Sequence, residues 1–442
     1  MIKQLTVLPY AHESCLPCEL KEIVGKVFKK NLDLNKDAKV GLNKNIHAIS
    51  LNNGYIIHTK DLVLYVDNLE SLFQIDGTHT LGQLCDGSPH MRSNLQQLHY
   101  YNLLAFNSNP GSLKVLDVDP TYAERYRDGA FVTFSLVPIT IELDITNSCN
   151  FNCIHCCRNA NPENISEAGT PLSMEELFNL LKQCARIGVP ELLLMGGEPL
   201  ISKGFFDLVQ YAKDLGIRDV RTSTNGWLVT EEVALKLAEH FDNIQVSVHG
   251  ATSSVHDAIV KKKGAWERAK RAVNALKQKN IKVNISFTVM RENIDDVKRM
   301  PYLVKEWGAD SLRYIRLTRQ GRGLQLDAWS EEDVIQIGEE IKAIYENLPF
   351  DLELDAGGFQ PLRPIRNDAC FYGCSAGKTL LAITSNGKVK SCASLDEDIA
   401  DIRQSSILDI WHSTTLVNLR KQLECQDCSF IPICWGPCKV RC

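Results

Sequence analysis

Between residues 139 and 317 the chain switches repeatedly between strand-like and helix-like patterning, and no other feature restricts its fold as much. Strand-like runs stand at Ile139–Ile145, Glu191–Met195, Asp219–Ser223, Asn243–Val248, Val283–Val289 and Leu312–Leu317. Helix-like runs lie between them at Met174–Ile187, Phe205–Leu215, Glu231–His240, Trp266–Gln278 and Ile294–Glu306. Alternation of this kind implies parallel strands with crossover helices, because each helix must bury its apolar stripe on the sheet it connects. Six such units predict an α/β fold whose functional residues collect on the loops after the strands.

Those loops hold the residues that carry chemistry. After the first strand come Cys149, Cys153 and Cys156, in the run CNFNCIHC. Three thiolates so close on one loop can hold three irons of a 4Fe–4S cube, which leaves the fourth iron open to a substrate or cofactor. A zinc site usually asks for four ligands. After the second strand comes Gly196-Gly197-Glu198-Pro199. Its glycines permit close backbone approach, and a carboxylate suits an ammonium; taken alone, the run reads equally as a turn. Thr224-Asn225-Gly226 follows the third strand and Ser247-Val248-His249-Gly250 the fourth. After the sixth comes RLTRQGRG, with Arg316, Arg319, Gly321, Arg322 and Gly323. Arginine binds carboxylates bidentately, so Arg316 or Arg322 is a candidate for one, with a solvated basic loop as the other reading. The run Lys261–Lys263 reads as a solvated loop.

Composition narrows the class. The chain has 442 residues, room for about three domains. A net charge of −5 argues against nucleic-acid binding. No run approaches the ~18 apolar residues that span a bilayer, and the start, MIKQLTVLPYAHES, lacks an export signal. Half of the 16 cysteines lie from Cys370 onward and four more between positions 149 and 157. Clustering of this kind reads as metal ligation in a reducing cytoplasm. The pair Cys15 and Cys18 reads as incidental or weakly redox-active, Cys85 and Cys184 as core, and Cys157 as a small buried side chain beside the cysteine loop.

The loop CNFNCIHC, the GGEP run and their strand-end placement resemble the radical S-adenosylmethionine (radical SAM) superfamily. The resemblance implies a partial (βα)6 barrel. It implies a cluster on Cys149, Cys153 and Cys156 whose open iron chelates SAM and splits it to a 5′-deoxyadenosyl radical. The GGEP run, Gly196 to Pro199, would bind the SAM amino group. Thr224, Asn225, Ser247 and His249 would line its ribose and carboxylate, although His249 stands where many relatives have Asp. His155, where the family usually has an aromatic residue, would pack on the cluster and offer backbone atoms to adenine. The C-terminal spacing, C-x12-G-x4-C then C-x2-C-x5-C-x3-C and a final Cys, resembles the seven-cysteine SPASM pattern. That implies two auxiliary 4Fe–4S clusters, one on Cys370, Cys374, Cys392 and Cys438 and one on Cys425, Cys428, Cys434 and Cys442. The expected cofactors are three 4Fe–4S clusters and SAM, with an electron donor such as flavodoxin or ferredoxin.

Short strand-like runs at Ile46–Leu51, Tyr55–Thr59 and Val63–Val66 precede helix-like stretches at Leu69–Ile75, Leu81–Cys85 and Ser93–Leu104. This order, with the run DGTHTLGQLCDG read as a helix-turn segment, resembles a PqqD-like winged-helix module, the RiPP recognition element. Such modules hold a precursor's leader peptide as an added strand. The scarcity of Lys and Arg there disfavours a DNA-binding winged helix. The expected domains are a recognition module at 1–107, a linker at 108–137, the barrel at 138–329, a bridging segment at 330–369 and the SPASM domain at 370–442. The whole then reads as a cytoplasmic oxidoreductase that cross-links a ribosomal precursor peptide, through a thioether or a carbon–carbon bond. A peptide epimerase, or a protein or small-molecule oxidase of the sulfatase-maturase kind, stays open beside it.

Overall fold

The computed structural model describes residues 137–162, 169–217, 219–355, 359 and 375–422, together with strands between residues 6 and 116. In that first part, β1 (Thr6–Val7), β3 (Ile46–Leu51), β4 (Gly54–Thr59), β5 (Leu62–Val66) and β8 (Leu113–Leu116) form a sheet in the order β1-β5-β4-β3-β8. A second sheet has the order β6-β2-β7, from β2 (Lys39–Leu42), β6 (Asp76–Thr80) and β7 (Leu104–Phe106). The three strands read from the sequence are β3, β4 and β5. Two segments differ from their reading. Asp76–Thr80, which opens the run read as helix-turn, is β6 and pairs antiparallel with β2; Thr78 and Thr80 are β-branched and suit a strand. Leu113–Leu116, inside the segment read as linker, is β8 and pairs parallel with β3. Leu104, read as a helix end, starts β7. The helices expected at 69–75, 81–85 and 93–103, Cys85, and the pair Cys15 and Cys18 lie outside the described residues.

The larger unit is built on seven parallel strands. These are β9 (Thr140–Asp144), β10 (Glu191–Met195), β11 (Asp219–Thr224), β12 (Asn243–Ser247), β13 (Lys282–Val289), β14 (Ser311–Arg316) and β15 (Glu353–Asp355), paired in chain order. Six were expected. The seventh, β15, comes from the segment read as a bridge and pairs with β14. The C-terminal unit joins the same sheet at the other edge. Its strand β16 (Leu380–Ile383) pairs parallel with β9, and β17 (Lys388–Lys390) and β18 (Ala400–Asp401) follow antiparallel.

Burial alternates along the strands. On β9 Ile141 and Leu143 are buried and Thr140, Glu142 and Asp144 half-buried; on β12 Ile244 and Val246 are buried between Asn243, Gln245 and Ser247. The apolar face meets helices α1 (Met174–Arg186), α2 (Phe205–Asp214), α3 (Glu231–His240), α4 (Ser253–Val260) and α5 (Ala265–Gln278). Helix α1 shows how each is specified. Ser173 and Glu176 form a capping box at its start. Leu177, Leu180, Leu181 and Cys184 then recur at helical spacing and are buried. Cys184 is core, as its sequence suggests, and burial pushes its thiol up to about 12.

The other face is a polar wall. The Thr140 hydroxyl donates to Glu191 at 2.6 Å, and Arg221 pairs with Glu191 at 3.2 Å and Asp219 at 2.5 Å. Gln245 donates to Ser223 at 3.2 Å, Ser311 to Asn284 at 2.8 Å, and Arg313 pairs with Asp355 at 3.2 Å. This face of the sheet is therefore hydrophilic and partly charged.

One expected helix is divided. The segment read as helical over 294–306 is a 3-10 turn at Arg291–Asp296 followed by α6 (Met300–Trp307). Asn293 leaves helical geometry, with φ −136°. Its amide donates to the carbonyls of Thr288 at 2.8 Å and His249 at 3.0 Å. Pro301, in the first turn of α6, suits a helix start. The bridging segment contributes α7 (Glu331–Glu346), and the C-terminal unit α8 (Ile407–Trp411) and α9 (Thr414–Gln422). Among the described residues no helix is long and apolar enough to cross a membrane.

The C-terminal unit is pinned to α1 by Arg403. Its Nε donates to Glu176 at 2.5 Å and its Nη2 to the Thr170 carbonyl at 3.0 Å. Hydrogen bonds from Arg403 and Ser173 pull the Glu176 carboxyl down to about 2. A carboxyl depressed in the folded state stabilises above its ordinary value near 4.5 and loses that contribution as pH falls toward 2. Acidification from pH 5 to 3 is therefore expected to loosen this contact in the wild type but not in Glu176→Gln, read as limited proteolysis between 375 and 422. Equal acid sensitivity in both proteins would contradict this.

Candidate active site

The loop after β9 is held from three sides. Cys149 N–H donates to the Asn161 carbonyl at 3.2 Å and closes it. Asn152 N–H and Ile154 N–H donate to the carbonyls of Val260 at 3.3 Å and Ile259 at 3.0 Å, the last residues of α4. Arg322 clamps it from the loop after β14. Its backbone N–H donates to the Cys156 carbonyl at 3.0 Å, its Nε to the Cys153 carbonyl at 2.7 Å and its Nη2 to the Ala160 carbonyl at 2.8 Å. The guanidinium expected to reach a SAM carboxylate is thus engaged with the cysteine loop itself. Gly321 makes this approach feasible. Its φ is +53°, and a Cβ there would sit 2.5 Å from the Cys156 carbonyl oxygen. Arg316, the other candidate, lies half-buried at the end of β14, in register with Val289 on β13.

The three thiols test what this loop can hold. Burial pushes Cys149 up to about 11 and raises Cys153 still further, and nearby thiols add to both rises. Thiolates in such a place need a cation to offset their desolvation. Buried thiols close in sequence on one loop suit a multi-iron cluster, which seats each sulfur on its own iron.

The glycines of GGEP pack the second loop onto the first. A Cβ on Gly196, whose φ is +137°, would fall 2.2 Å from the Thr146 carbonyl oxygen, and one on Gly197 2.1 Å from that of Ser148. Gly197 N–H donates to Thr146 at 2.8 Å and Glu198 N–H to Ser148 at 2.9 Å. Pro199 begins a short 3-10 turn and is buried. Glu198 is 1% exposed and accepts from the Thr224 hydroxyl and the Asn225 N–H, both at 2.8 Å, and from the Leu200 N–H at 3.3 Å. Burial still pushes its carboxyl up to about 7 against those bonds. The Asn225 side-chain amide donates to Asn150 at 2.7 Å and lies 3.9 Å from the Cys149 sulfur. Two motifs that looked separate in the sequence, GGEP and TNG, are thus one network ending at a cluster-loop cysteine.

Ser247, at the end of β12, meets Ser286 at 3.4 Å. His249 is buried, and its Nδ1 accepts from the Thr288 N–H at 3.1 Å. Its backbone N–H donates to His256 Nδ1 at 2.9 Å, and its ring lies 4.3 Å from that of His155. Burial pushes His155 and His256 down to about 4 and His249 well down too, so all three imidazoles are neutral near pH 7. Sequence reasoning missed His256 and helix α4, which carries it. Its signal was available in the run TSSVHDAIV, where Thr252 caps a short helix. His155 Nδ1, His256 Nε2 and Asn150 Nδ2 are buried with no hydrogen-bond partner. Three unmatched polar atoms, two on the cysteine loop and one on α4, suit a polar ligand with donors and acceptors of its own.

Cys157 lies beside this site, half-buried, with Arg158 Nη1 3.6 Å from its sulfur. Of the C-terminal cysteines, Cys392 follows β17, where its sulfur accepts from the Ser394 N–H at 3.4 Å. Cys370, Cys374, Cys425, Cys428, Cys434, Cys438 and Cys442 lie outside the described residues.

Known proteins match this architecture. Residues 143–300 match the radical SAM superfamily and residues 374–429 the SPASM iron–sulfur cluster-binding domain. The mycofactocin maturase MftC of Mycolicibacterium smegmatis is 30% identical over 68% of this chain and 78% of its own length. The AdoMet-dependent heme synthase of Methanosarcina barkeri is 28% identical over 70% and 93%. The crystal structure of Streptococcus suis SuiB bound to precursor peptide SuiA superposes with a TM-score of 0.68 at 16% identity, over 91% of this chain and 96% of that one. With the strand-end loops, the neighbouring thiols and these matches together, the chain belongs to the radical SAM superfamily and is a radical SAM enzyme with an SPASM iron–sulfur domain.

Proposed function

We propose that this enzyme matures a ribosomally made peptide by forming a cross-link within it, either a thioether or a carbon–carbon bond. The observation that carries this reading is the likeness to SuiB, crystallised with its precursor peptide, over 91% of this chain. Residues 138–442 alone could not supply that share. The MftC relative, also a maturase, supports it.

In this reading Cys149, Cys153 and Cys156 hold the SAM-binding cluster. Two further clusters, bringing the count to three, sit on Cys370, Cys374, Cys392 and Cys438 and on Cys425, Cys428, Cys434 and Cys442. With SAM bound, the first cluster supplies a one-electron cleavage that yields a hydrogen-abstracting radical. The chain's own residues do the rest. Glu198 presents acceptor oxygens to the SAM ammonium while Thr224 and Asn225 fix its rotamer. His155, His249 and Ser247 meet the nucleoside with neutral groups, and one tautomer is fixed: Thr288 N–H occupies His249 Nδ1 and so leaves the proton on Nε2. Arg322 and α4 keep the cluster loop in place. The polar wall of the barrel receives the peptide's amides, and an edge strand of the N-terminal sheets takes the leader as an added strand.

Glu198→Gln keeps the shape of the side chain and removes its charge. A charged hydrogen bond is worth about 1.5–3 kcal/mol, so SAM affinity is expected to fall roughly 10- to 100-fold, with iron content unchanged. Calorimetric titration of the reconstituted protein with SAM checks this, and unchanged affinity would remove Glu198 from the SAM contacts.

The heme-synthase relative, matched over 93% of its length, favours a second reading, in which the substrate is a small molecule. Anaerobic reaction with the short peptide encoded beside the gene, read by tandem mass spectrometry, separates the two. Loss of two hydrogens, dependent on SAM and leader, is expected. Solvent deuterium incorporated without further mass change would mean epimerisation. Peptide-independent formation of 5′-deoxyadenosine with an unchanged peptide would overturn the reading.

A further inference from the structure

The cluster loop has a basic surface at its back. Helix α4, whose last carbonyls hold Asn152 and Ile154, is followed at once by Lys261, Lys262 and Lys263. Lys261 caps the helix in the left-handed region, with φ 54°, and turns the chain outward. Asp257 pins the loop by accepting from the N–H groups of Gly264 at 2.6 Å and Trp266 at 2.9 Å. Helix α5 then adds Arg268 and Arg271. Among the described residues none of Lys261, Lys262, Lys263, Arg268 or Arg271 forms an ion pair. The nearby acids are Asp257, whose oxygens are taken by the backbone, and Glu267, which is exposed.

Beside two of these cations stands Trp227, half-buried. Lys262 Nζ lies 4.8 Å and the Arg268 guanidinium carbon 5.3 Å from its ring centroid. The indole also meets Phe151 in a T-shaped contact, with ring centroids 5.8 Å apart. Phe151 lies two residues from both Cys149 and Cys153. The Trp227 backbone N–H donates to the side chain of Asn225, whose amide lies 3.9 Å from the Cys149 sulfur. The indole ring touches both the cations and Phe151, a neighbour of two of the thiols, in a chain whose net charge is −5.

We propose that this patch docks the electron donor, a small acidic one-electron carrier protein that seats its redox centre over Trp227. The proposal rests on the reading that Cys149, Cys153 and Cys156 hold a cluster. Unpaired cations around a half-buried aromatic match an acidic partner, and such complementarity raises encounter rates by 10- to 1,000-fold at low salt. Placement behind the cluster loop leaves the SAM and substrate side of the barrel open while the donor is bound.

The test uses the full-length holoenzyme with an acidic flavodoxin as probe. Binding is measured at low and high ionic strength for wild type, for Lys262→Glu with Arg268→Glu, and for Lys182→Glu, an exposed lysine on α1 with the same sign of change. The double reversal is expected to weaken binding at least tenfold at low salt, and Lys182→Glu is not. The difference should vanish at high salt, where the Debye length shrinks. Iron content and dithionite-driven SAM cleavage should match wild type throughout. Unchanged binding by the double variant, or an equal loss in Lys182→Glu, would overturn the docking site. Absence of dithionite-driven cleavage in wild type would instead count against the cluster reading, and the affinities would still decide the docking surface.

Discussion

Replacing Cys149, Cys153 and Cys156 together with Ala is expected to abolish SAM cleavage, a loss of ~10⁴-fold or more, while the barrel stays folded. The physical grounds are the thiols' neighbourhood. Burial raises the thiols of Cys149 and Cys153, so their ionised forms need a cation beside them. An iron–sulfur cluster supplies an iron to each sulfur. The fold does not depend on the thiols, because the loop is held by Asn161, Ile259, Val260 and Arg322 through the backbone. The triple variant should therefore lose the iron of one cluster and keep its far-ultraviolet circular dichroism. Cleavage of SAM at wild-type rate by that variant would refute the assignment.

Arg158→Met carries the largest expected effect on stability. The guanidinium bridges two strand carboxylates on the polar wall. Its Nε meets Asp144 at 2.7 Å, and its Nη2 donates to Glu142. Burial raises the Glu142 carboxyl, and Arg158 opposes that rise. Deleting the cation strands two neighbouring acids, and breaking a buried ion pair this way costs about 3–5 kcal/mol. The sign with pH follows. Burial already raises the Glu142 carboxyl, and without Arg158 it rises further, so its ionised form destabilises the fold. Denaturant melts should show the variant's deficit shrinking as pH falls from 7 toward 5. A deficit that is small, or that does not change with pH, would show that the network contributes little. The same change frees the loop end at Cys157, whose sulfur Arg158 approaches.

Much of this was legible in the residues. The spacing of Cys149, Cys153 and Cys156 and the strand-end placement of GGEP, TNG and SVHG marked loops that the structure brings together, because those signals are local and periodic. Six of the seven parallel strands were legible for the same reason. What was missed is long-range. Arg322 is 166 positions from Cys156 in sequence, and nothing in RLTRQGRG says that its guanidinium turns to carbonyls of the cysteine loop. Strand β15 is three residues long and gains its place only by pairing with β14. The division of the 294–306 helix depends on Asn293 bonding Thr288 and His249. The polar wall did leave a signal, since TIELD, DVRTST and NIQVS alternate at period two, unlike the continuous apolar runs usual in parallel strands.

The account stands on a SAM-binding cluster at the loop after β9, and low-temperature electron paramagnetic resonance of the dithionite-reduced enzyme tests it most directly. Spectra are recorded with and without SAM, for wild type and for the triple cysteine variant. The expected result is a reduced-cluster signal that shifts when SAM is added and is missing from the variant, with any remaining signals indifferent to SAM. A wild-type spectrum that SAM leaves unchanged, or a SAM-sensitive signal that survives in the variant, would contradict it.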